Sequence, residues 1–239
     1  MKVKGRNAVR EALRSGVSIE KLLISNSSKD RVTSEIIDLV KSKGVKFQFV
    51  DNKILDRECD NHQGMIALTT DFQYSSMEDI LSVARSKGTP NFILILDGVE
   101  DPHNFGSIIR VAECLGVDGI VIQKNRACPV TDTVAKVSAG AIEHMKIAKV
   151  TNINTEIERL KENNVWVYAC ELGGEDLDKV DLKGNIAIVV GSEGKGVSAL
   201  TRKLCDGVVS MKMYGKVNSL NVSVATGIVL YEAVRKRRN

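Results

Sequence analysis

The sequence predicts an α/β protein with a mostly parallel sheet in its larger C-terminal part, preceded by a small mixed α/β domain. Three observations predict it. Short apolar runs recur at 92–96, 119–122, 147–150, 165–169, 186–190 and 207–211, several of them continuous, as in strands covered on both faces. Segments with helical spacing lie among them at 105–115, 134–141, 155–162 and 222–238, and such alternation implies a parallel sheet flanked by helices. A polar stretch from 71 to 90 separates this part from a first part with a different rhythm.

The first part reads helix, strand, helix, strand, helix, strand. Residues 7–13 have helical spacing and stop at Gly16, and 19–24 form a short strand. Val32, Ile36, Ile37, Leu39 and Val40 share one helical face, which Gly44 ends. Residues 45–50 alternate with period two, Asp51 and Asn52 can cap a short helix to Cys59, and 65–70 is the last strand. The expected domains are therefore 1–72 and 91–239, joined by a linker at 73–90 whose capped helix can pack on either.

Composition excludes several classes. With 43% hydrophobic and 27% charged residues and only 3 prolines, the chain of 239 residues is neither disordered nor fibrous. No apolar run approaches the ~18 residues of a membrane span, and the basic start at Met1 to Arg6 lacks the apolar core of a signal peptide. Cys59, Cys114, Cys128, Cys170 and Cys205 are scattered and odd in number, which suits reduced thiols in a cytoplasm. His62, His103 and His144 share no metal-ligand spacing, so no metal is expected. A net charge of +4 permits an RNA partner without requiring one. The basic run Arg235 to Arg238 ends the last helix, where it complements the helix dipole.

In open parallel sheets, ligands bind beyond the carboxyl ends of the strands, so three loops matter most. After the first strand of the second part, Asn104 stands at a helix start and Arg110 lies further along that helix. Arg110 can hold a phosphate or be an ordinary surface arginine. After the fifth strand comes Gly191-Ser192-Glu193-Gly194-Lys195-Gly196. It fails both the P-loop and the G-x-G-x-x-G patterns, leaving either a close backbone approach to a ligand or a plain turn. Before the last helix, Asn218, Ser219 and Asn221 are more polar groups than one helix cap uses, which suggests a site.

Together and in this order, Asn104-Phe105-Gly106-Ser107-Ile108-Ile109-Arg110, the 191–196 loop and Ser219-Leu220-Asn221-Val222-Ser223 resemble the three signature motifs of the SpoU (TrmH) family of RNA ribose methyltransferases, within the SPOUT superfamily. Lys136-Val137-Ser138-Ala139-Gly140-Ala141 resembles a further family segment. Residues 5–13 and His62-Gln63-Gly64 resemble the small RNA-binding domain, similar to ribosomal protein L30e, of the branch that methylates a guanosine ribose in 23S ribosomal RNA.

The resemblance implies a parallel sheet closed by a trefoil knot and S-adenosylmethionine as cofactor, contacted at Gly191, Met211 and Leu220. It also implies a ribosomal RNA substrate and a homodimer. It places catalysis at Arg110, with Asn104 and Glu193 holding Arg110 and the loops, and Ser219 and Asn221 positioning cofactor or ribose. A guanidinium has a pKa of about 12 or higher, so a phosphate anchor suits Arg110 better than a proton acceptor does. Competing readings are a tRNA ribose methyltransferase, an adenosine-directed rRNA resistance enzyme, and a non-catalytic RNA-binding assembly factor.

Overall fold

Side-chain alternation and capping set the elements of the first unit, Met1–Gln73. They are β1 (Lys2–Lys4), α1 (Arg6–Ser15), β2 (Ile19–Ser25), α2 (Arg31–Ser42), β3 (Lys46–Val50), α3 (Asn52–Glu58) and β4 (Met65–Thr69). In this computed structural model residues 2–15, 19–28, 30–69, 72–216 and 219–238 are described. Met1, Gly16, Thr70, Asp71 and Asn218, named above, lie outside them.

The unit's sheet runs β1-β4-β2-β3, with β4 antiparallel to β1 and β2, and β2 parallel to β3. Strand β1 went unread because three residues before Gly5 carry no measurable period. Val9 and Leu13 of α1, Ile36 and Val40 of α2, and Leu22, Ile24, Met65 and Ala67 of the sheet form one core. Asp30 caps α2 by accepting from Thr33 N and pairs with Arg6, and the Thr33 N–H holds its carboxyl below the usual range.

The second unit, Tyr74–Asn239, starts with α4 (Met77–Lys87). Its Met77, Ile80 and Leu81 belong to the core that covers one sheet face, with Ile93, Ile95 and Val121. The stretch expected as a linker at 73–90 thus contains a helix of this unit, because its apolar face finds strand side chains to cover. A capping box between Ser76 and Asp79 starts it and Gly88 in the left-handed region ends it.

There follow β5 (Phe92–Asp97), α5 (Pro102–Cys114), β6 (Gly119–Gln123), α6 (Asp132–Val137), β7 (Ile147–Val150), α7 (Ile153–Glu162), β8 (Trp166–Asp176), β9 (Ile186–Gly191), α8 (Ala199–Leu204), β10 (Gly207–Ser210) and α9 (Val222–Arg237). Asp101 caps α5 with Pro102 at its first turn, so the helix begins before the expected 105. The helix expected at 134–141 stops at Val137, because Ala139 and Gly140 take positive φ. The short α8 was not read from the periodicity.

All neighbours in the six-stranded sheet β10-β8-β9-β5-β6-β7 are parallel. The order reverses around β5, which lies between β9 and β6. That crevice beyond the strand ends is where a doubly wound sheet binds ligands. The insertion of β9 between β5 and β8, with Ser219 and Leu220 returning to the cavity at the end of β9, is compatible with the trefoil threading expected above.

The basic end of α9 does more than answer a dipole. Lys236 Nζ donates to the carbonyls of Leu177 (2.7 Å), Asp178 (2.8 Å) and Val180 (2.7 Å). Arg237 donates to Pro90 O at 2.6 Å and covers the Phe92 ring at 5.0 Å. These side chains pin the last helix to the segments that follow β8 and precede β5. Lys236→Met keeps the aliphatic stem and removes three charge-assisted bonds. It is expected to lower stability by about 1–3 kcal/mol, read from urea unfolding at unchanged m-value. A wild-type midpoint would show that the clamp contributes nothing.

Candidate active site

The 191–196 loop starts where β9 ends. Ser192 and Gly196 exchange backbone bonds (Ser192 N to Gly196 O at 3.2 Å, Gly196 N to Ser192 O at 3.0 Å), folding the loop back on itself. Gly191 sits beneath that closure. A Cβ there would lie 2.0 Å from the carbonyl carbon of Gly196, so only glycine fits. Asp97, buried at the end of β5, accepts from Ser198 N at 2.8 Å and ties the loop's far side to the neighbouring strand.

Two cavities flank this loop. One, of about 440 Å³, has walls from Cys170, Glu171, Leu172, Gly191, Met211, Met213, Leu220 and Ala225, among others. Its volume falls within the ~300–1,000 Å³ usual for small-molecule sites. The three expected cofactor residues Gly191, Met211 and Leu220 all line it, together with Ser219. The second, of about 450 Å³, is bounded by Asp97, Asp101, Asn104, Arg126 and Ser198. Glu193, Ser192, Lys195, Gly196 and Val222 belong to both, so the two cavities meet at the 191–196 loop.

A chain of side-chain hydrogen bonds marks the meeting point. Asn221 Nδ2 donates to Asn104 Oδ1 at 2.9 Å, and Asn104 Nδ2 donates to Glu193 Oε2 at 3.3 Å. Asn221 also caps α9 by accepting from Ser223 N (2.9 Å) and Ser223 Oγ (2.6 Å). Each of the three motifs therefore contributes one member of the chain. With Oε2 engaged by Asn104, Glu193 keeps its other oxygen without a partner among the described residues.

Arg110 is not among these. It is exposed on α5, lines neither cavity, and its side chain forms no ion pair or hydrogen bond among the described residues. The expectation that Asn104 and Glu193 hold it is corrected: those two side chains hold each other and Asn221. Arg126, Lys195 and Asp97 were not singled out from the sequence. Arg126 has φ 55 in a turn after β6 and contributes a cation to the second cavity.

Burial and the Glu171 charge push the Cys170 thiol up to about 11. It is therefore neutral at physiological pH and an apolar wall atom, not a nucleophile. At pH 8 its alkylation by iodoacetamide is expected to be far slower than that of exposed Cys114, and to accelerate as pH rises toward 11. Peptide mass spectrometry reads this directly. Equal labelling of both at pH 8 would contradict the burial argument.

In the first unit, the segments around Gly5 and His62 meet. Gly5 N donates to Met65 O, and Arg6 Nε donates to Gln63 O at 3.1 Å. His62 Nδ1 accepts from Gly64 N and Nε2 lies 2.9 Å from Asp56 Oδ1, so this histidine holds a turn.

Three short polar motifs meet between two cavities, beyond the strand ends of a parallel sheet, where such folds bind their ligands. The chain belongs to the SpoU rRNA methylase family, which it matches over residues 91–231, and it is an RNA methyltransferase of that family. Residues 2–75 match the substrate-binding domain of RNA 2′-O ribose methyltransferases. The chain is 42% identical over 237 residues to a putative TrmH family tRNA/rRNA methyltransferase of Bacillus subtilis, covering 98% of this chain and 95% of the relative. A Staphylococcus aureus protein of the same description is 41% identical, covering 99% and 96%.

Among solved structures, the AdoMet-bound rRNA methyltransferase of Sinorhizobium meliloti matches with TM-score 0.61 and 25% identity over 98% of this chain and 86% of that one. The AviRb SpoU methyltransferase of Streptomyces viridochromogenes, in complex with AdoMet, has the same fold, with TM-score 0.64 at 22% identity and coverage of 100% and 90%. The cofactor of the family is S-adenosylmethionine. The first cavity fits it: Leu172, Met211, Met213 and Leu220 offer apolar surface to a purine, and the 191–196 backbone offers polar edges.

Proposed function

We propose that this protein methylates the ribose 2′-hydroxyl of a guanosine in 23S ribosomal RNA. The observation that carries methyl transfer is the Glu193–Asn104–Asn221 chain where the two cavities meet, and the choice of a 23S guanosine rests on the resemblance of residues 5–13 and 62–64 to the ribosomal branch. It lets one chamber present a methyl donor to a nucleotide in the other. Bound S-adenosylmethionine supplies a methyl group on a positively charged sulfur. The protein's task is then alignment and proton removal. Ser219 and Asn221 orient the ribose, Glu193 fixes the loop and offers its second oxygen to the hydroxyl, and Asn104 keeps both in register. Arg126 and Lys195 on the cavity rims attract the RNA backbone.

Arg110 acts as a phosphate anchor, holding the RNA so that the hydroxyl faces the methyl donor. The same reading includes a homodimer. On α9, Val224 (51% exposed), Ile228 (45%) and Tyr231 (62%) form an uncovered apolar stripe, opposite the buried Val222, Val229 and Leu230. An exposed apolar stripe opposite a buried helix face suits a docking surface, and in this reading a second copy of the chain covers it. Helix α9 packs on α5, which carries Arg110, so the stripe and the arginine share one layer.

The first unit is proposed as an RNA-binding domain joined to the catalytic unit, which favours a large structured RNA. The relatives' description as tRNA/rRNA methyltransferases keeps tRNA as the second reading. Deleting the gene and quantifying ribose-methylated nucleosides of purified 23S rRNA and tRNA tests the choice. Loss of one 2′-O-methylguanosine from 23S rRNA is expected. Loss from tRNA alone would select the second reading.

A further inference from the structure

S-adenosylmethionine has two chemically unlike halves. The adenosine half is flat and neutral, while the other ends in an ammonium and a carboxylate. Leu172, Met211, Met213 and Leu220 suit the first half and offer nothing to the second. The same cavity wall carries a pair of opposite charges, Glu171 and Arg202. Glu171 follows Cys170, the last residue of β8 paired with β9, and Arg202 projects from α8. Their contact is a single long one, Arg202 Nη1 to Glu171 Oε2 at 3.3 Å. The other carboxylate oxygen and the remaining guanidinium N–H groups have no partner among the described residues. Glu171 also lies against the motif loop, since a Cβ on Gly196 would meet its Oε1 at 2.8 Å.

A half-exposed ion pair of this kind adds little to stability. Its chemistry matches an α-amino acid instead: a carboxylate for the ammonium and a planar donor fork for the carboxylate. We propose that Glu171 and Arg202 together read the amino-acid end of the cofactor, with Glu171 accepting from its ammonium and Arg202 donating to its carboxylate. The proposal rests on the first cavity being the S-adenosylmethionine site. It makes the pair the discriminator between the complete cofactor and adenosine fragments.

The test is calorimetric titration of the full chain with S-adenosylhomocysteine and with 5′-methylthioadenosine, which keeps the adenosine and sulfur but lacks the amino-acid end. The wild type is expected to prefer S-adenosylhomocysteine by about ten- to a hundredfold. E171Q and R202Q are each expected to lose most of that preference by weakening S-adenosylhomocysteine alone, with 5′-methylthioadenosine binding retained as the report of an intact cavity. The proposal is overturned by variants that keep the wild-type preference, or that weaken both ligands equally at a wild-type melting temperature. It is likewise overturned if the preference vanishes only in K195M, since Lys195 lines the same cavity. Failure of the wild type to bind either nucleoside would overturn the cofactor assignment of the cavity itself.

Discussion

Gly191→Ala is expected to abolish S-adenosylmethionine binding and to lower methyl transfer at least about a hundredfold, the cost of a misplacement near 1 Å in a reacting site. The added methyl would lie 2.0 Å from Gly196 C, 2.2 Å from Gly196 O and 2.2 Å from Val197 N. All three are backbone atoms, so no side-chain rotation relieves the clash. The 191–196 loop must open, carrying Glu193 away from Asn104 and deforming the walls of both cavities. The lesion is local to a loop, so the unit is expected to stay folded, with overpacking costing about 1–3 kcal/mol. Calorimetric titration beside a thermal melt separates the two effects. Wild-type affinity in this variant would show that the loop closure is not what shapes the site.

Arg110→Ala is expected to lower turnover on RNA by about 10²–10⁴-fold while leaving S-adenosylmethionine affinity unchanged. The split follows from position. Arg110 lies outside both cavities, on the exposed side of α5, so it can touch the RNA without touching the cofactor. Arg110→Lys keeps the charge and loses the planar fork, and is expected to recover only a small part of the activity. Near-normal turnover in that variant would contradict bidentate phosphate binding. A parallel fall in cofactor affinity would contradict the placement.

The parts of the site legible in the sequence were those whose members are neighbours in the chain. Gly191 and Glu193 share one loop, and Ser219, Leu220 and Asn221 share another, and each loop was legible through its resemblance to a family motif. Asp97, Arg126, Glu171 and Arg202 were silent because each stands alone in its segment. Asp97 and Glu171 reach the site through strand order, since β5 and β8 flank β9, while Arg126 arrives on the turn after β6 and Arg202 on α8. Periodicity found the six parallel strands because their continuous apolar runs are long enough to count. It missed β1, with three residues, and α8, with six, which tertiary pairing stabilises more than propensity does. The α4 segment was read as a capped helix but placed in a linker, because a sequence shows that a helix has an apolar face and not which core that face meets.

The most direct measurement is methyl transfer from labelled S-adenosylmethionine to 23S rRNA lacking the modification, with tRNA and Arg110→Ala as controls, followed by digestion to nucleosides. The account predicts label in 2′-O-methylguanosine of 23S rRNA, lost in the variant. Label on a base, or none on any RNA despite a folded protein that binds RNA, would contradict it.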